Sequence, residues 1–211
     1  MRLTVPPVPV LAAPFEIYDR PQQDAMLSGL RLFFTRVINV LSALNDSVGV
    51  GYLRSPHGGF SSRVTQSTTA NTATRVAFAT TDFLNNTSAH AGGGVEVAIA
   101  GVYLYQYMLQ LESTSATAQE VSVWVRVNGV DVVYAGSKFA VPATHGGVNG
   151  YTLATASFYV QLSATDYVDL WWATTSATVT LEAYAAQTVP FAMPGIPSAI
   201  ATLTFVSALA S

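Results

Sequence analysis

Three histidines, His57, His90 and His145, each stand beside glycine, in SPHGG, AHAGGG and THGGV. A metal centre needs such side chains to converge. No HxH or HxxxH spacing brings two of them onto one face, so they read as independent loop residues. Cysteine is absent, which removes thiolate sites and disulfide staples together. A Ser–His–Asp relay assembles only in space, but no GxSxG turn presents a nucleophile. Glycoside cleavage needs two carboxyl groups at a set separation across a sugar. The β-rich part of the chain offers Asp82, Glu96, Glu112, Glu120, Asp131, Asp166, Asp169 and Glu182. Asp166 and Asp169, in LSATDYVDLWW, are three apart and fall on opposite faces of a strand. Asp166 is expected to make a turn and Asp169 to be solvated. The GGG at 92–94 lacks the lysine and helix start of a phosphate loop. The expectation is no catalytic residue, no metal ligand, no cofactor and no enzyme.

Aromatic residues are the richer set: Tyr103, Tyr105, Tyr107, Trp124, Phe158, Tyr159, Tyr167, Trp171, Trp172 and Tyr184. Tyr103, Tyr105 and Tyr107 share one strand face, opposite Leu104, Gln106 and Met108. They read as core or subunit seam, because aromatics bury large areas in both. A sugar-stacking platform is the alternative.

The elements that carry these residues must form in an unusually uncharged chain. Of 211 residues 50% are hydrophobic and 10% charged, against roughly 25% charged in ordinary soluble domains. Mean hydropathy is +0.37, yet no run reaches the ~18 uninterrupted apolar residues of a spanning helix. Pro6, Pro7 and Pro9 break any signal-peptide core. Membrane insertion is not expected. A net charge of −3 with one lysine, Lys138, argues against nucleic acid, which requires clustered cations. Such a chain needs somewhere to hide apolar surface, and a large subunit interface provides it.

Four zones follow. Residues 1–20 are broken by proline, but Val8, Val10, Leu11, Phe15, Ile17 and Tyr18 make them too apolar for a solvated tail; an extended docking arm is expected. Residues 21–46 read as a helix, with Asp19 as cap, Pro21 in the first turn, Asp24 near the positive end and Gly49 as a stop. Leu27, Leu30, Phe34, Val37, Leu41 and Leu44 are spaced 3, 4, 3, 4, 3, a heptad seam. Met26, Phe33, Val40 and Ile38 broaden it beyond a two-stranded coil. Residues 47–63 read as a glycine-containing linker.

From 64 to 211 the chain is all β, in runs of β-branched and aromatic residues. In EVSVWVRV, Val121, Val123, Val125 and Val127 share one face, and Asn128-Gly129 after it is the strongest short hairpin signal. Val95 to Leu111 reads as two strands with a turn at Ala100-Gly101. Eight or more strands predict two packed antiparallel sheets. Threonine, serine and alanine stand where a monomer would carry charge to guard its sheets.

AIAGVYLYQYMLQL (98–111), VWVRVNGVDV (123–132), VQLSATDYVDLWW (160–172) and IPSAIATLTFV (196–206), in that order, resemble tumour-necrosis-factor-like and complement-head-like jelly rolls. The opening SPHGGFSSRVTQSTTANTATRVAFATTDFLNN and the preceding short helix are similar to structural proteins of tailed bacteriophages. The resemblance implies a homotrimer of jelly rolls on a short coiled coil in a virion. Such a trimer is expected to be a fibre-like appendage anchored by its arm to other tail or head proteins, with a host-surface glycan as a further candidate partner. The alternatives are a capsid decoration protein and a carbohydrate-binding or glycan-cleaving module. No catalytic residue is carried over, and nothing marks the calcium site of some animal relatives.

Overall fold

The computed structural model describes residues 20–44, 55–91 and 93–209. The chain divides into two units, Met1–Leu53 and Arg54–Ser211. In the first, helix α1 spans Arg20–Leu44. Starting at Arg20, it leaves no acidic residue in its first turn; Asp24 lies just beyond the reach of the helix dipole, which fades within one turn. The expected cap Asp19, the stop Gly49 and the arm residues Val8, Val10, Leu11, Phe15, Ile17 and Tyr18 lie outside the described residues.

The second unit is mainly β, with antiparallel sheets. Its strands are β1 (His57–Ser62), β2 (Gln66–Ser67), β3 (Thr74–Arg75), β4 (Thr80–Asn85), β5 (Thr87–His90), β6 (Gly94–Val97), β7 (Gly101–Ser113), β8 (Gln119–Val127), β9 (Val130–Val141), β10 (Gly150–Leu162), β11 (Tyr167–Thr174), β12 (Val179–Leu181) and β13 (Ala199–Ser207). One sheet runs β2-β12-β7-β13-β1-β4, with β10 also paired to β7; the other runs β5-β6-β11-β8-β9, with β3 paired to β11.

β1 occupies part of the stretch expected to be linker. Its HGGFSS has too few β-branched residues to read as a strand, yet it pairs with both β13 and β4. The glycines serve close packing: a Cβ on Gly59 would stand 2.5 Å from the Phe83 ring.

Strand alternation decides the core. Along β7, Tyr103, Tyr105, Leu109 and Leu111 have no exposed surface and Tyr107 almost none, while the residues between them are outward. Val121, Val123 and Val125 of β8 and Val168, Leu170 and Trp172 of β11 meet them from the other sheet in one cluster. Burying a side chain of this size contributes about 1.5–3 kcal/mol. The β8–β9 hairpin turns at Asn128 and Gly129, with φ of 51° and 77°, the doubly positive pair a type I′ turn requires. Asn128 also ties the tip to β11: Tyr167 N–H donates to its Oδ1 at 3.1 Å, and its Nδ2 donates to Asp166 Oδ1 at 2.7 Å.

Candidate interaction surfaces

Three surfaces stand out. The first is the helical seam. Leu27, Phe34 and Leu41 are 47%, 58% and 57% exposed in the single chain, Leu30 and Val37 are half-buried, and Leu44 is the last helical residue. Unshielded apolar positions at this spacing are what a helical partner covers. By length and average hydropathy, Arg20–Ser42 also reaches what a bilayer crossing requires. Arg31 and Arg36 stand inside that stretch, where each charge costs roughly 2.5–3.5 kcal/mol at a bilayer centre.

The second surface is the outward face of the seven-stranded sheet. Leu104 lies opposite Tyr159 on β10 and Thr204 on β13; Gln106 opposite Ser157 and Thr202; Met108 opposite Thr155 and Ile200. From β10 across β7 to β13, these outward positions hold no charged side chain until Glu112. That carboxylate is taken up by hydrogen bonds from Asn149 Nδ2 and the Tyr184 hydroxyl. Burial, and then the Glu112 carboxylate, raise the Tyr184 phenol above its ordinary pKa. Tyr159 is 70% exposed and Leu153 about half exposed. At the far side a groove of about 680 Å³ is lined by Ser61, Arg63, Asp82, Tyr184, Gly195 and Ile200, among others. Ser61 Oγ donates to Asp82 at 3.1 Å and Arg63 lies 3.7 Å from the same carboxylate. Its lining includes no histidine, so a serine and an aspartate meet there without the base a hydrolytic relay needs.

The third surface is the outward face of the six-stranded sheet, and here one expectation is corrected. Asp169 does point away from the core, as strand parity requires, but it is 1% exposed rather than solvated. Arg75, brought alongside by the pairing of β3 with β11, covers it with Nε 3.5 Å from Oδ2. Trp171 Nε1 donates to that oxygen at 3.4 Å. Gly94 leaves the room: a Cβ there would stand 2.5 Å from Asp169 Oδ1. Neither Asp169 Oδ1 nor Arg75 Nη1 has a hydrogen-bond partner among the described residues. Asp166 makes the turn as expected, accepting from Ser163 N–H at 2.7 Å.

Around this buried pair, Trp124 faces Trp171 in register. The Arg126 guanidinium lies 4.0 Å from the Trp171 ring centre and 5.9 Å from that of Trp124. Asp131 Oδ1 accepts from Arg126 Nε at 2.5 Å and Trp124 Nε1 at 2.8 Å. The hydrogen bond from Arg126 holds the Asp131 carboxyl below its usual range. Beyond it, His90 stacks on Tyr167 at 3.8 Å.

The aromatic set is thus sorted: Tyr103, Tyr105, Tyr107 and Trp172 are core, whereas Trp124, Tyr167 and Trp171 are outward and half-buried. His57 and His90 stand on strands rather than in loops, and His145 bridges to Val148. Sequence reading passed over Arg75 and Arg126; the Arg126–Asp131 link across an Asn-Gly hairpin was the available signal. No family model and no curated protein matches the chain.

Proposed function

We propose that this chain is a structural protein of a bacteriophage virion: a homotrimer of jelly rolls on a short coiled coil, forming a fibre-like appendage. The observation that carries the reading is the uncharged outward face of the seven-stranded sheet. A monomer holding Leu104, Met108, Leu153, Tyr159 and Ile200 in water, among uncharged threonines, serines and glutamines, would expose a broad face that another protein surface covers at little electrostatic cost. Sister copies hide it. Strand order favours the jelly roll: β11 lies between β6 and β8, and β13 between β7 and β1, so neighbours in space come from distant parts of the chain, as in paired Greek keys. The heptad seam of α1 supplies a second point of association, since most helical stability comes from packing an apolar face rather than from propensity.

Catalysis forms no part of the reading. Anchoring to tail or head proteins is assigned to residues 1–20. Light scattering on the purified full chain tests the assembly: the expected mass is three times the 22.3 kDa chain, and a monomer at micromolar concentration refutes it. Deleting residues 1–20 is expected to leave the trimer but abolish its incorporation into particles. Labelling in an image of the particle separates a tail or head appendage from a decoration protein spread over the capsid.

A further inference from the structure

The outward face of the six-stranded sheet carries ion pairs among its aromatic rings, unlike the uncharged face of the seven-stranded sheet. Trp124 and Trp171 lie side by side, partly open to solvent, with Arg126 against both rings and Asp131 at the rim. Each of its cations is paired with a carboxylate, Arg126 with Asp131, Arg75 with Asp169 and Lys138 with Glu120, and Glu96 adds a further carboxylate beside His90. We propose that this face is a binding site for neutral pyranose sugars.

A pyranose offers an apolar C–H face and a ring of hydroxyls, and this surface answers both. The half-buried indoles present their open edges, and Arg126, 4.0 Å over the Trp171 ring, adds its guanidinium to the same surface at low entropic cost. Arg126 supplies donors. Asp131 uses Oδ1 for both of its protein donors, which leaves Oδ2 to accept from a sugar hydroxyl, and the side chain is 63% exposed. Beside Trp171, Asp169 Oδ1 and Arg75 Nη1 are buried without hydrogen-bond partners among the described residues. Orphaned buried groups call for an explanation, and a hydroxyl or bridging water admitted beside Trp171 would satisfy them. Paired charges disfavour an acidic sugar or a nucleic acid, whose anionic groups require cations in excess. This inference stands whether or not the chain trimerises.

The test uses the full chain on a glycan array, followed by intrinsic-fluorescence titration with the methyl glycosides of glucose, galactose, mannose and N-acetylglucosamine. Saturable binding of at least one neutral sugar is expected. Asp131→Ala and Trp171→Ala are each expected to weaken it about tenfold or more, the scale of one lost aromatic or charge-assisted contact. Phe83→Ala, on the edge of the other sheet, is expected to leave it unchanged. Asp131 is exposed, so its variant remains informative should Trp171→Ala fail to fold. Absence of binding on the array and in every titration overturns the proposal. So does binding that survives both substitutions, or selection of sialylated and uronic glycans over neutral ones.

Discussion

On the seven-stranded sheet, three adjacent strands turn Leu104, Met108, Leu153, Tyr159 and Ile200 outward among threonines, serines and glutamines, with no charge between them. On the six-stranded sheet, the outward positions hold Trp124, Arg126, Asp131, Asp169 and Trp171, and every cation there has an anion within 3.5 Å. Both faces lie over the same core and obey the same alternation. The difference is in what each can tolerate from outside. Uncharged side chains lose little when another protein surface covers them, so the first face suits permanent burial. The second already satisfies its own charges and keeps its rings partly open, which suits a small polar ligand that comes and goes.

The sharpest way to break this comparison is to place a charge on the first face. Met108→Asp is expected to convert the assembly to monomers by light scattering while the far-ultraviolet circular dichroism keeps its β signature. Trp171→Ala, on the second face, is expected to leave the mass unchanged. Equal effects from the two would erase the distinction.

Next in size is the buried pair. Asp169→Ala is expected to cost about 3 kcal/mol in urea unfolding, the low end for breaking a buried ion pair, because Arg75 retains 31% of its side-chain exposure. The Arg75→Ala, Asp169→Ala double variant should recover part of that loss, as coupled neighbours do. A cost below about 0.5 kcal/mol would mean that the pair behaves as an exposed one.

A smaller effect belongs to the hairpin that carries Asp131. Gly129→Ala, at φ 77°, is expected to destabilise by about 1 kcal/mol, measured the same way. It is also expected to weaken sugar binding if the Asn128 clasp positions Asp131.

The smallest change lies between the faces. Burial pushes the Tyr105 phenol well above its ordinary pKa, and its hydroxyl has no hydrogen-bond partner among the described residues. Tyr105→Phe removes that orphan and is expected to be neutral or stabilising by up to about 1 kcal/mol. A loss of stability would reveal a hydrogen bond to a bound water.

Much of this was legible along the chain. The alternation in VYLYQYMLQL placed three tyrosines on one face, and they are the core of β7. Asn128-Gly129 announced a two-residue turn, and helix α1 begins and ends within two residues of the range 21–46 expected from sequence. Less legible were strands without a periodic pattern, such as β1, and any surface made by residues far apart in sequence. Parity placed Asp169 outward correctly, and still gave the wrong environment, because nothing near it in sequence reveals that Arg75 and Gly94 close over it.

Local physics accounts for that division. Period-two hydrophobicity, the heptad spacing and positive-φ turn residues act over a few positions, so composition and order alone determined a helix followed by antiparallel strands, with little charge to spare. Which outward face stays uncharged and which gathers Trp124, Trp171 and two ion pairs depends on strands that meet across long stretches of chain. Only the tertiary pairing of β3 with β11 and β11 with β8 brings those side chains together, and burial of a charge is decided by what lies above it in space.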